Sequence, residues 1–354
     1  MREGCLRGRI GIFKCRWSVE QITANKADTG DENMTTTRQE AWGSFGQDAE
    51  GTTAKEVCEN AGLTWKAQLE PLYDTRGKVL TQKHRGVFRD DTHDCLGVVG
   101  KSYHVKQHQD VAELAHELTK VTDLEWNKIG VVNNGAKFWV NLALPDEILI
   151  NGNEPVQGFM TLTNAHDGSG AIRVIPNCIR MNCGNQMNMV LRDAKKTGNY
   201  FTIRHTSKMD EQIENMKEAM NMTNAMLDQW AEDALGMLEV EMDIGERVEF
   251  YLEHLPIQTN EDLISKENPH GLATRGQNIL DRVIALEAEP QNQIGDMDGT
   301  LFQTVNVVTD FIDHAWVTTK DGRVNDRRAE SAIMGTGQRI KGKAWADAVA
   351  RTVA

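Results

Sequence analysis

Apolar positions in this chain repeat with two periods, and the switch between them divides it into a strand-rich first half and a helical second half. From Leu63 to Leu69 apolar residues alternate with Thr64, Lys66 and Gln68, the period-two pattern of a strand with one buried face. A short helix precedes it: Thr52 or Thr53 stands where an N-cap is needed, Glu56 falls in the first turn, and Gly62 lies just past Ala61. Turn chemistry from Asp74 to Lys78 leads to a second strand over Val79 to Phe88, and Arg89 to Asp94 reads as a polar loop. Leu96 to Val99, with Tyr103 and Val105, reads as a further β pair around Gly100. His108 to Val121 then takes helical spacing, with Val111, Leu114, Ala115 and Leu118 on one face. Three strands come next, Trp126 to Val132, Ala136 to Leu144 and Val156 to Leu162, and Asn133-Asn134-Gly135 supplies the positive-φ residues that a tight hairpin requires.

The stretch 156–208 organises the rest. An apolar strand (Gly158 to Leu162), a polar glycine-rich turn (Asn164 to Gly170) and a β-branched run (Ala171 to Ile175) predict a second hairpin. Past Gly184, the segment to Ala194 is compatible with a helix. From Met209 apolar residues recur every three or four positions, at Ile213, Met216, Met220, Thr223, Leu227, Trp230, Ala234 and Met237, which predicts a long amphipathic helix. Leu272 to Leu286 and Leu301 to Trp316 read as two more helices, the latter with Phe302, Val305, Val308, Phe311 and Ile312 as its apolar face. A basic tail (Arg323, Arg327, Arg328, Arg339, Lys341, Lys343) ends in a short helix from Ala344 to Val353. Strands ahead of one long helix, without regular βαβ alternation, define an α+β class: a mostly antiparallel sheet with hairpins, then a helical C-terminal region. The expected units are a core over 34–255 and a helical region with its basic tail over 256–354. Residues 1–33 fit poorly with the remainder of the chain and read as a disordered extension or an artefact of start-codon choice, with Met34 as the alternative start.

Composition narrows the function. With 354 residues and 40% apolar content the chain can bury a real core. No apolar run approaches the roughly 20 residues of a membrane span, and the first residues lack the continuous apolar core of a secretory signal. Six scattered cysteines suit reduced thiols in a host-cell cytoplasm. The net charge of −13 argues against general coating of nucleic acid, but its distribution is uneven. Arg173, Arg180, Arg192, Lys195, Lys196, Arg204 and Lys208 face only Asp167 and Asp193, seven cations against two anions. Fifteen carboxylates against Lys217 and Arg247 occupy Asp210 to Asp262.

The basic zone is the candidate nucleic-acid interface. Its cations suit phosphates, Tyr200 and Phe201 offer stacking surfaces to unpaired bases, and His205 lies among them. The bland alternative is a solvated face neutralised by the acidic segment. Asn164, His166, Asp167, Gly168 and Ser169 form either a contact loop or a tight polar-tipped turn; His166, Asp167 and Ser169 sit too close together in sequence to converge as a catalytic triad. Cys178 and Cys183, with His166 and His205, have C-x4-C spacing and no second pair, so no metal is expected there. Asp90, Asp91 and Asp94 beside His93 read as a solvated loop. Without a P-loop, metal triad or activated nucleophile, neither an enzyme nor a cofactor is the preferred reading.

Five segments carry a resemblance: AGLTWKAQLEPLY (Ala61 to Tyr73), FRDDTHDCLGVVGKSYHVKQHQDV (Phe88 to Val111), NAHDGSGAIRV, CIRMNCGNQMN and IRHTS. In this order, over roughly residues 40–240, they resemble the phage/plasmid-like protein family, a domain of unknown function found in plasmids, prophages and actinobacterial phages. The resemblance implies a genomic setting and no established catalytic residues. The expectation is therefore a cytoplasmic phage or plasmid accessory protein that binds single-stranded DNA non-covalently in replication or recombination, as a possible homo-oligomer. The alternative is an acidic anti-restriction or other host-interaction protein whose partner is a host or phage protein. Neither reading involves a membrane.

Overall fold

The computed structural model describes residues 46–121, 123–150, 154–180, 186–188, 202–203, 223–293, 295–316 and 324–353. The proposed extension over 1–33, the first half of the amphipathic seam and Arg192, Lys195, Lys196, Tyr200, Arg204 and His205 lie outside these residues.

Ten strands and eight α-helices are described. An antiparallel sheet has the strand order β1-β5-β6-β7-β8-β10, with β9 also on β8. Its members are β1 (Gln47–Asp48), β5 (Glu125–Val132), β6 (Lys137–Ile150), β7 (Glu154–Ala165), β8 (Ile172–Arg180), β9 (Gln186–Asn188) and β10 (Thr202–Ile203). A second sheet is the meander of β2 (Ala67–Glu70), β3 (His84–Arg89) and β4 (Cys95–Gly100). The helices are α1 (Ala54–Asn60), α2 (His108–Val121), α3 (Thr223–Leu238), α4 (Ile244–His254), α5 (Thr274–Glu287), α6 (Leu301–Asp310), α7 (Val324–Met334) and α8 (Thr336–Thr352). The chain is α+β, with antiparallel sheets ahead of a helical C-terminal region.

Local chemistry explains where several elements begin and turn. In α1, Thr53 Oγ1 accepts from Glu56 N and the Glu56 carboxylate accepts from Thr53 N, a reciprocal cap that satisfies two otherwise orphaned donors. Asn133 and Asn134 take φ of 54° and 56°, which lets the β5–β6 hairpin turn within four residues. The α2 face of Val111, Leu114, Ala115 and Leu118 is buried in the main core with Phe138, Val140 and Leu162. That core also takes Leu280, Phe302, Val305 and Trp345 from the helical region.

Several predicted elements differ, among them the strand expected over Val79 to Phe88, which is confined to His84–Arg89, and the C-terminal helix, which spans Thr336–Thr352. Gln186–Asn188 is not helical: it pairs with Ile179 to Asn177, because the outer edge of β8 offers ladder hydrogen bonds to the chain that returns past it. Tyr103 and Val105 form no strand; β4 pairs back onto β3, and the Tyr103 hydroxyl donates to the Ala165 carbonyl at 2.8 Å. The β8 strand runs through Pro176 to Arg180, with Pro176 between the stretches paired to β10 and to β9. Finally, α6 buries all ten of its residues, and continues into a π-helical turn, Phe311–Ala315.

Candidate functional site

The β7–β8 hairpin carries the predicted contact loop at its tip and Arg180 at its base. Its tip does not project into solvent. The backbone N–H of His166 donates to the Ala136 carbonyl at 2.7 Å, and Lys137 pairs with Asp167 at 3.4 Å and also with Glu330. Asp167 Oδ1 accepts from the backbone and the hydroxyl of Ser169, a closed local turn that leaves Gly168 and Ser169 exposed at the rim. The small sheet leans directly on this tip: a Cβ on Gly97 would lie 2.4 Å from Asp167 Cα. Gly97→Ala is therefore expected to cost about 1–3 kcal/mol by overpacking against backbone, read as a lower denaturation midpoint. An unchanged midpoint would mean the two sheets are not seated on one another.

Asn164 and His166 are buried, which corrects their placement in an open contact loop. They belong to an aromatic joint between the sheets. His166 stacks on His108 with centroids 4.1 Å apart, Phe138 also stacks on His108 at 5.0 Å, and Trp65 meets His108 edge-on at 5.3 Å. His108 Nε2 lies 2.8 Å from the Gly135 carbonyl and Nδ1 lies 3.1 Å from the Asn164 amide nitrogen. A neutral ring protonated on Nε2 satisfies both contacts. Arg89 lies 4.3 Å over Trp65 and pairs with Asp91, while Asp94 accepts from Asn134 and Asp90 from Lys66 N. The carboxylates of the 89–94 loop thus tie protein segments together.

At the other end of the hairpin Arg180 is 0% exposed. Its Nε donates to Glu154 Oε1 at 2.8 Å, its Nη2 donates to the Gln291 carbonyl at 3.1 Å, and its guanidinium sits 5.8 Å from the Phe302 ring centre. This corrects its assignment as a phosphate contact: the side chain holds the sheet to the helices. Arg173 is half-buried on β8 and donates to the Met334 carbonyl at 3.4 Å.

Sequence reasoning missed a set of buried polar groups that converge from distant segments. Asp313, in the π-turn, pairs with Lys341 at 2.7 Å; both are buried, so this lysine of the basic tail is an internal ion. Asp310 Oδ2 accepts from Asn292 at 2.7 Å and from Gln291 at 3.2 Å. On the opposite face of the large sheet, Asn177 Nδ2 donates to Thr161 Oγ1 at 2.7 Å, and that hydroxyl donates to Asn141 Oδ1 at 2.5 Å. Cys178 is buried near the hairpin base, and burial pushes its thiol well above the ordinary value. His166 lies at the far end of the same hairpin, so these two do not converge on a metal. Glu253, His254 and Asp347 bring ligand atoms within 4.8 Å of one another, but the Arg351 guanidinium already spans both carboxylates. Burial depresses the His254 imidazole, against the pull of Asp347.

Asn188 is opposite Asn177 and Thr202 opposite Arg173, so these two described residues pair with the same strand at positions four residues of β8 apart.

The architecture defines a two-sheet α+β protein with a buried helical layer. Among the described residues, no helix is long and apolar enough to cross a membrane. Residues 95–333, more than half of the chain, match the family model described as Domain of unknown function (DUF932), and the chain belongs to this family. No curated protein and no solved structure matches it.

Proposed function

We propose that this protein is a phage or plasmid accessory protein that binds nucleic acid without catalysis, with single-stranded DNA as the substrate class and replication or recombination as the setting. The observation that supports this is that Asn188 and Thr202, which flank 189–201 in sequence, both pair with β8. By sequence, segment 189–201 contains Arg192, Lys195, Lys196 and Tyr200, with Arg204, His205 and Lys208 close behind. With Arg180 internal and Arg173 half-buried, these residues carry the phosphate contacts, and Tyr200 supplies a stacking face.

In a salt-titrated assay with labelled single- and double-stranded oligonucleotides, wild type is expected to bind the single strand and to weaken as salt rises. Arg192→Ala/Lys195→Ala/Lys196→Ala is expected to bind more weakly, with its log–log salt slope reduced by about 2, at roughly 0.7 for each phosphate no longer neutralised. Equal binding by both proteins removes this segment from the interface. A second reading, an acidic anti-restriction or host-interaction protein, draws on exposed carboxylates along α3, α4 and the segment up to Glu267. Such a protein would ignore the oligonucleotide and co-purify with a host protein.

A further inference from the structure

We infer that the chain associates head to tail with further copies of itself, through two ordered loops that expose apolar side chains inside rims of opposite charge. The first is the turn over 72–80. Tyr73 bridges Val79, Leu80 N donates to the Leu72 carbonyl at 2.7 Å, and Asp74 Oδ1 accepts from both Arg76 N and Lys78 N at 2.9 Å. These bonds hold Tyr73 at 54% and Leu80 at 62% exposure. Between Leu72 and Gly86, Arg76, Lys78, Lys83 and Arg85 stand against Asp74, and Lys101 is tied to the Lys83 carbonyl at 3.0 Å.

The second loop, 259–272, joins α4 to α5. Thr259 bridges Leu272, and the Asn268 amide donates to the carbonyls of Leu263 and Leu272 while its oxygen accepts from Leu272 N. Gly271 takes φ of +61°, where a Cβ would lie 2.3 Å from the Asn260 carbonyl oxygen. The loop exposes Leu263 at 42% and Ile264 at 57% beside Glu261, Asp262 and Glu267, three carboxylates against Lys266.

The loops belong to separate parts of the framework. The first belongs to the small sheet, seated at the Ala165 end of β7. The second comes after α4, which meets the C-terminal half of α8 through His254 and Asp347, whereas the start of α8 lies near Arg173, which bonds to Met334. Twelve-residue β7 alone separates its ends by about 40 Å. Like loops repel, so a two-fold dimer through either is disfavoured. Unlike loops attract, and such a heterologous contact propagates into a ring or a filament.

Sedimentation velocity of the full chain tests this. Wild type is expected to exceed a dimer at about 0.1 M salt and to dissociate towards monomer at about 1 M, as the screening length falls from ~10 Å to ~3 Å. Tyr73→Ser/Leu80→Ser and Leu263→Ser/Ile264→Ser alter only exposed side chains, and each alone is expected to be monomeric. Mixed in equal amounts they retain one good loop of each kind and should form a dimer that grows no further. A wild-type monomer at both salts, an assembly that survives both double substitutions, a mixture that stays monomeric, or assembly only with added oligonucleotide would overturn the inference.

Discussion

Arg180→Ala is expected to lower folding stability by about 3–5 kcal/mol, because it removes the guanidinium that donates to buried Glu154 at 2.8 Å and to the Gln291 carbonyl at 3.1 Å. Glu154 is itself among the buried residues, so water cannot take the place of the guanidinium without opening the joint between β7, β8 and the Pro290–Asn292 turn. A loss of this size is a large part of the roughly 5–15 kcal/mol available to a typical domain, and soluble yield should fall with it. The pair Arg180→Met/Glu154→Leu removes both charges and restores apolar volume, and should recover more than half of the deficit in denaturant midpoint. If Arg180→Ala costs less than about 1 kcal/mol, the value of an exposed pair, the guanidinium is accessible to solvent and regains a role in phosphate binding.

The same residue shows what the sequence could and could not convey. Ile172, Val174, Cys178 and Arg180 share a parity, and the first three are buried on the core face, so a strand continued through Pro176 places Arg180 inward with them. Ending the strand at Pro176 concealed this. Asn164 and His166 continue the inward parity of Met160 and Leu162, a signal that the turn-like composition of Asn164 to Gly170 obscured. The α1 cap, the α2 face and the β5–β6 turn were legible because each depends on residues a few positions apart. Buried charges depend on partners brought by the fold: Glu154 lies 26 residues from Arg180, Asp313 lies 28 from Lys341, and Glu330 lies 193 from Lys137. No local pattern separates an arginine destined for such a pair from one bound for solvent. The basic zone read along the chain therefore took in an internal ion, Arg180, that nothing in its local sequence sets apart.

Lys341→Met is expected to be about as costly as Arg180→Ala, at roughly 3–5 kcal/mol, since Asp313, at 0% exposure, loses the ammonium that donates to its carboxylate at 2.7 Å. Asp313 cannot turn outward, because the π-turn that carries it is packed between α6, α7 and α8. Asp313→Asn/Lys341→Met should be more stable than Lys341→Met alone, and this sign of coupling in a double-mutant cycle distinguishes a buried pair from two independent side chains. The loss should also be local before it is global. Among the described residues α8 is the last helix; it stacks Trp345 on Trp230 at 5.0 Å and places Lys341 one turn before that contact. Amide exchange in Lys341→Met should therefore accelerate first along α8, while β6 and β7 retain protection until global unfolding. Uniform acceleration across the sheet would instead make Asp313–Lys341 part of the single cooperative core, and would show that the helical region does not open separately from the strands it covers.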